Sequence, residues 1–480
     1  MDSPIHRILH PKAVAFVGAS NNISTMGTAQ MSHMLDGLFP GRIYPIHLKE
    51  EKVLGLKAYK KLTDLPEVPD LLVLVIRNER VPEFIDVAGR MGTRCAVVIS
   101  GGFAEGGQSG MNLQEKMLQA ARKHDLRMVG PNCIGVLETR YPFNITYFPY
   151  TLKPGHVGVA SHSGTYLTHM FPVFKRLDIG LSAGLSIGNE ADLGMADCLE
   201  YFEQDEHTRA IALYIEGFKH GRKFFEVARR VSKTKPIVAL YVGGTPEGGH
   251  AAVGHTAAMA ADDKLVQSMF DQAGIIRADG AEELYEMANG LTLMPPMKGP
   301  NIGIITNSGG PAVTAADKAA KLGLKVPRLA QETVDELKKV MPHTGVLNNP
   351  VDVTFSDRHD LLLAILPELL LSDPNVDGLL VYGIFSADFY LEVPAIKKSI
   401  GADVIHSLHE MQGGLLDQFI EIAHKHDKPV VGSTFLDRSD TAVRRLIDGG
   451  IPFFRTPEQA VKALHALYSI GRYRTLQSGA

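Results

Sequence analysis

Short apolar runs alternate with longer amphipathic stretches along the chain. The runs at Val14–Val17, Leu71–Ile76, Ala96–Ile99, Val157–Ala160, Ile211–Ile215, Ile237–Val242, Ile302–Thr306, Leu379–Tyr382 and around Val430–Val431 are continuous rather than alternating. Continuous runs of this length predict strands buried on both faces. Between them, Asn112–Lys123, Phe224–Lys233 and Pro311–Leu322 carry apolar residues at helical spacing. Buried strands separated by helices predict an α/β fold with parallel sheets covered on both sides. The longest apolar runs are six to eight residues, and a membrane helix needs about 18. No basic segment with a long apolar core precedes the first strand. The expectation is a soluble, cytoplasmic chain without membrane contact.

One pattern recurs. VAFVGAS from Val14, VGVASHSG from Val157 and IGIITNSGG from Ile302 each join an apolar strand to a helix through small residues, at intervals of 143 and 145 residues. Near-equal intervals predict three related α/β units. GIIRADGAEELYEMANGL from Gly274 and GIPFFRTPEQAVKALHAL from Gly450 echo each other as a final strand and closing helix. The proline-bearing stretches RYPFNITYFPYTLKPG and LMPPMKGP read as linkers. The predicted domains are therefore 1–140, 150–293 and 300–475, which suits 480 residues at about 150 per domain.

Charge and cysteine content narrow the function. The 49 Lys and Arg against 53 Asp and Glu leave a net charge of −4, without the basic excess of a nucleic-acid surface. Cys95, Cys133 and Cys198 are too few for a disulfide framework and point to a reducing compartment.

Three turns carry candidate chemistry. Gly18-Ala19-Ser20-Asn21-Asn22, with Gly27 beyond, follows the first strand where doubly wound sheets bind nucleotides. It lacks GxGxxG, and RIYPIHLK ends in Lys49 rather than an acidic ribose ligand. A phosphorylated nucleotide such as coenzyme A therefore fits better than NAD, although small residues also make plain tight turns. Ser161-His162-Ser163-Gly164-Thr165 offers hydroxyls and free N–H groups at a predicted helix start, either as an anion cradle or as ordinary N-capping. Without GxSxG a serine nucleophile is not expected. The segment GGTPEGGHAAVGHTAAMA holds His250 and His255, and Glu216 ends strand IALYIEG, where it could fix an imidazole tautomer. By spacing alone, two surface histidines among 19 explain that segment as well. No HExxH or paired CxxC supports a metal site.

Ten motifs in order, VAFVGAS, YPIHLK, VVISGGFAE, VGPNCIGV, SHSGT, SIGNEAD, YIEGF, GHTAAMA, ITNSGGPAV and NNPVDVT, resemble the alpha subunit of the ADP-forming acetate–CoA ligases (NDP-forming acyl-CoA synthetases), relatives of succinyl-CoA synthetase. The resemblance runs from about Ile8 to Arg474. It implies a Rossmann-like CoA-binding domain followed by two flavodoxin-like domains. It also implies a relay from acyl-CoA and phosphate, through acyl phosphate and a phosphohistidine, to ADP. The family's phosphorylated histidine falls on His255 and its supporting glutamate on Glu216. Its phosphate site falls on Ser161, Ser163, Gly164 and Thr165. Its CoA contacts fall on Gly18, Ala19, Ser20, Lys49, Gly101, Gly102, Phe103 and Asn132.

No stretch resembles an ATP-grasp module. The resemblance thus implies a separate ATP-grasp beta subunit that brings ATP or ADP and Mg, an α₂β₂ heterotetramer, and a small carboxylic acid or acyl-CoA as substrate. A non-catalytic CoA-binding regulator and a CoA-transferase-like enzyme are the alternatives. The chain departs from the family pattern at Ala257, where glycine usually follows His-Thr, and at Tyr241 and Gly244, where Lys and Arg are usual. It departs again at Arg77-Asn78, which replaces Pro-Ala, and at His162, which replaces glutamine.

Overall fold

Chain segments whose every residue is apolar can only be strands if both faces are covered, and that is how they fold. The computed structural model describes residues 3–148, 153–248, 261–354, 356, 358–384, 386, 388 and 392–478. They divide into two compact units, Met1–Asn289 and Gly290–Ala480. In the first unit, β1 (Ala13–Val17), β2 (Arg42–Ile46), β3 (Leu71–Leu74), β4 (Cys95–Val98) and β5 (Arg127–Val129) form a parallel sheet in the order β2-β1-β3-β4-β5. Val14, Phe16, Leu71 and Val73 enter one core cluster, and Ala15, Val17, Leu72 and Leu74 enter another. Alternate residues of each strand thus face opposite layers. Each fully buried aliphatic side chain contributes roughly 1.5–3 kcal/mol.

The second sheet of this unit comprises β6 (Val136–Glu138), β7 (Phe143–Asn144), β8 (Pro154–Ser161), β9 (Leu181–Ser186), β10 (Ala210–Ile215), β11 (Ile237–Tyr241) and β12 (Ile275–Arg277), in the order β12-β11-β10-β8-β9-β6-β7. Its first five members are parallel, and the β6–β7 hairpin adds antiparallel to β9. The cluster that holds Val14 and Phe16 continues into Ala160, Ile211, Leu213 and Ile237, so the two sheets share a core. The second unit holds β13 (Ile302–Thr306), β14 (Val351–Asp352), β15 (Gly378–Tyr382), β16 (Val430–Ser433) and β17 (Phe453–Phe454), all parallel in the order β14-β13-β15-β16-β17.

Setting the hairpin aside, the three large sheets among the described residues all run 2-1-3-4-5, the flavodoxin-like doubly wound order. The recurring motif always supplies the first strand, β1, β8 or β13, beside the point where the winding reverses. Ligands of doubly wound sheets bind at such points. The predicted helices lie at Gln108–Arg122, Gly221–Val231 and Gly309–Lys321. In the middle one, Phe224, Val227, Ala228 and Val231 are buried at i, i+3, i+4 and i+7 spacing. Among the described residues no helix is long and apolar enough to cross a membrane.

Candidate functional site

At the end of β1 the chain turns so tightly that only glycine fits. Gly18 has φ +113°, and a Cβ there would lie 2.0 Å from the Val75 carbonyl oxygen. Ala19 is buried behind it. The Ser20 N–H donates to Thr28 Oγ1 at 3.0 Å, and its Oγ accepts from the Asn22 N–H at 3.1 Å. Asn21 Nδ2 donates to Glu50 Oε2 and to the Lys52 carbonyl, folding the segment after β2 against this turn. Lys49 is exposed on that segment.

Beyond β4, Gly101 and Gly102 are exposed, while the Phe103 ring is wholly buried in the core. Phe103 can thus meet a ligand only through its backbone, and its N–H already donates to Glu105 Oε1 at 3.2 Å. The same oxygen accepts the Gly102 N–H at 2.6 Å. Asn78, one of the departures from the family pattern, donates through Nδ2 to the Gly102 carbonyl at 2.5 Å and so latches this loop. Asn132 follows β5 with φ 59° and donates through Nδ2 to Asn189 Oδ1 at 3.2 Å. The residues assigned to CoA therefore stand at the carboxyl ends of β1, β4 and β5 and just beyond β2.

In the second sheet, Ser161 ends β8 opposite Ser186 of β9 and Tyr214 of β10. Its Oγ donates to the Ser163 carbonyl at 2.6 Å, which curls the turn. His162 is 5% exposed, and both its ring nitrogens are occupied. Nδ1 lies 3.1 Å from the backbone nitrogen of Glu216, and Nε2 lies 3.1 Å from Glu190 Oε2. Glu190 Oε1 accepts the Met195 N–H at 2.8 Å. Burial pushes the Glu190 carboxyl up, but the hydrogen bond from His162, the Met195 N–H and the Lys219 charge outweigh it and hold the carboxyl below its ordinary range. Asn189, next in chain, donates to Glu105 Oε2, and Lys219 Nζ donates to the Asn189 carbonyl. A cavity of about 270 Å³ opens beside these groups, lined by Glu190, Met195, Phe218, Lys219 and Phe224 among others.

Glu216 is buried immediately after β10. The Tyr214 phenol, two residues earlier, stacks on Tyr166 with centroids 3.9 Å apart. Burial, together with the Glu216 charge, raises its pKa strongly. The helix expected from Thr165 onward is broken. It forms only Thr165–Thr168, and a second short helix starts at Phe171 with Pro172 in its first turn. Proline has no N–H to continue the first helix. Ser161, Ser163, Gly164 and Thr165 therefore present hydroxyls and local amides at this turn, not the end of a long helix.

His255, with His250 and Ala257, lies outside the described residues. Among the described residues, the Tyr241 hydroxyl donates to the Ala261 carbonyl at 2.9 Å and accepts the Ala261 N–H at 3.0 Å, which ties Ala261 to the end of β11. Among the described residues no three His, Cys, Asp or Glu side chains gather as metal ligands. Single motifs do not reveal Glu105, Asn189, Glu190 or the pairing of His162, although SIGNEAD contains two of these residues.

In the second unit, Thr306 ends β13 and its Oγ1 donates to the Ser308 carbonyl at 2.8 Å. Asn307 Nδ2 donates to the carbonyl of Gly383, the residue after β15, at 3.1 Å.

The chain matches known families over both sheets of the first unit. Residues 12–139 match the CoA binding domain, and residues 154–291 match the succinyl-CoA ligase like flavodoxin domain. The alpha subunit of ADP-forming acetate–CoA ligase II from Pyrococcus furiosus is 33% identical over 459 residues, 95% of this chain and 96% of that protein. An ADP-forming acetate–CoA ligase from Methanocaldococcus jannaschii is 38% identical over 352 residues, and the match spans 73% of this chain and 49% of its own length. The acetyl-coenzyme A synthetase 1 of Ca. Korarchaeum cryptofilum, solved with phosphate and ADP, superposes with a TM-score of 0.86 at 31% identity over 99% of both chains. The chain belongs to the alpha-subunit family of the ADP-forming acetate–CoA ligases.

Proposed function

We propose that the chain is the CoA-binding, phosphoryl-carrying subunit of an ADP-forming acyl-CoA synthetase. In the direction of ATP synthesis, a phosphate oxygen attacks the thioester carbonyl and the C–S bond breaks. CoA leaves as the thiolate, and an acyl phosphate forms. A ring nitrogen of His255 then attacks phosphorus, and the P–O bond to the acyl group breaks to release the carboxylate. The phosphoryl group finally passes from His255 to ADP, which restores the imidazole. Imidazole suits this relay because it both attacks and leaves phosphorus near neutral pH.

One observation carries the reading. Ser161 and Tyr214 are in register on adjacent parallel strands, so the hydroxyl turn and Glu216 emerge side by side at the carboxyl ends of these two strands. In this reading Ser161, Ser163, Gly164 and Thr165 hold the phosphoryl group, and Glu216 accepts the second ring N–H of His255. Gly18, Ala19, Ser20, Lys49, Gly101, Gly102, Asn132 and the Phe103 backbone hold CoA. ATP or ADP and Mg²⁺ sit on a separate ATP-grasp beta subunit in an α₂β₂ assembly, and the acyl group is that of a small carboxylic acid. Relatives named alpha subunits, and a relative of whose length the match spans only 49%, support a second component.

The test is incubation of the full chain with ³²P-phosphate and a set of acyl-CoA thioesters, or with labelled ATP and the partner. Acid-labile, base-stable label on the wild type, absent from His255→Ala, is expected. No label on the wild type under either condition, or full label on His255→Ala, rejects the relay.

A further inference from the structure

His162 lies inside the SHSGT turn. Its two ring nitrogens bridge different elements: Glu190 from the loop after β9, and the backbone of Glu216 at the end of β10. A backbone N–H only donates, so the Nδ1 that meets Glu216 is the bare nitrogen, and Nε2 carries the proton that faces Glu190. With both nitrogens engaged and the ring 5% exposed, His162 is not a nucleophile. The second unit gives an independent parallel. Asn307, the residue at the same place in its turn, also reaches the first residue beyond the neighbouring strand, there donating to the Gly383 carbonyl. This position of the turn therefore pins the end of the adjacent strand in both units.

We infer that His162 is a positioning residue for phosphoryl transfer: its bare Nδ1 fixes the backbone of Glu216, and with it the carboxylate that orients His255. The inference rests on the roles proposed above for Glu216 and His255.

Glutamine is the informative replacement. Its Oε1 can accept the Glu216 N–H and its Nε2 can donate to Glu190, at a spacing close to that of the imidazole nitrogens, and it does not titrate. The experiment measures initial phosphoenzyme formation by the full chain from ³²P-phosphate and whichever thioester labels the wild type fastest, acetyl-CoA included, at neutral pH. His162→Leu is expected to slow labelling about ten-fold or more, with CoA affinity unchanged. His162→Gln recovers most of that loss.

A His162→Gln protein that folds but labels at about a tenth of the wild-type rate or less overturns the inference, even if His162→Leu does not fold. So does a His162→Leu protein that folds and labels at the wild-type rate. The relay itself is judged separately, by whether the wild type labels and His255→Ala does not. An unlabelled wild type overturns both.

Discussion

After β8, Ser161 Oγ donates to the carbonyl two residues on at 2.6 Å; after β13, Thr306 Oγ1 does the same at 2.8 Å. The two turns share a strand position, a sheet order and a hydroxyl clamp, as expected of copies of one unit. They differ in the residues that stand across from them. The second sheet presents His162 to the backbone of Glu216, while the sheet of the other unit presents Asn307 to Gly383. Gly383 has φ +94°, and a Cβ there would lie 2.3 Å from Asn307 Cγ, so no carboxylate can occupy that place. The helices beyond the turns differ as well: four residues long after Gly164, and 13 residues long from Gly309. One scaffold thus supports an acid–imidazole cluster in one copy and excludes it in the other, through residues that leave the sheet unchanged.

The largest effect should come from the carboxylate itself. Glu216→Gln keeps the backbone N–H that His162 holds and removes only the charge, so phosphoenzyme formation should fall by roughly 10²–10⁴. A rate within about threefold of wild type would mean that the difference between the two turns is not where the chemistry lies. Next is the reverse trespass, Gly383→Ala, which forces a Cβ into Asn307 at a positive φ. It should cost about 1–3 kcal/mol or more, read as faster hydrogen exchange in β15 and β16. Unchanged exchange would show that the glycine there is not required.

Much of this contrast is legible in the amino-acid sequence alone. The strand ends are marked by small residues and hydroxyls, and the 143- and 145-residue intervals align Ser161 with Thr306. Glu216 is conspicuous because it closes an apolar run. The links between elements are not legible. His162 meets partners 28 and 54 residues away, and nothing local in SHSGT or SIGNEAD announces that pairing. β9, Leu-Ser-Ala-Gly-Leu-Ser, gives no strand signal because four of its six residues are small and none is β-branched, so only its neighbours define it as a strand. The β6–β7 hairpin reads locally as the tail of the first domain, and its pairing with β9 depends on long-range register. TYLTHMFPVF has helical periodicity, but Pro172 cuts it.

Acid should separate the two turns further. The Glu190 carboxyl is held below its ordinary range in the folded protein, so the unfolded chain binds the extra proton first. Its contribution to stability is present above the usual glutamate range, near pH 4.3, and is lost as pH falls through the lower folded value. Hydrogen-exchange protection in β9 and β10 should therefore decline between about pH 5 and 3, and decline less steeply in Glu190→Gln. The turn after β13 has an asparagine in place of this pair and should show no such step of its own. Equal slopes in the wild type and Glu190→Gln would remove Glu190 as the cause.

The smallest effect tests the feature that the two turns have in common. Ser161 and Thr306 are both fully buried, and each hydroxyl donates to the carbonyl two residues on. Thr306 Oγ1 also accepts the Ser308 N–H at 3.0 Å. Ser161→Ala and Thr306→Val remove the hydroxyl with little change in the space around it. Each removes the donor to that carbonyl, and a net hydrogen bond of this kind is worth about 1 kcal/mol. The threonine change should cost slightly more, because it also strands an amide. Matched losses of this size, read by exchange in β8 for one variant and β13 for the other, mean that the clamp belongs to the repeated scaffold and predates the chemistry. A loss confined to Ser161→Ala would instead tie the clamp to the phosphate site and end the claim that the two turns are built alike.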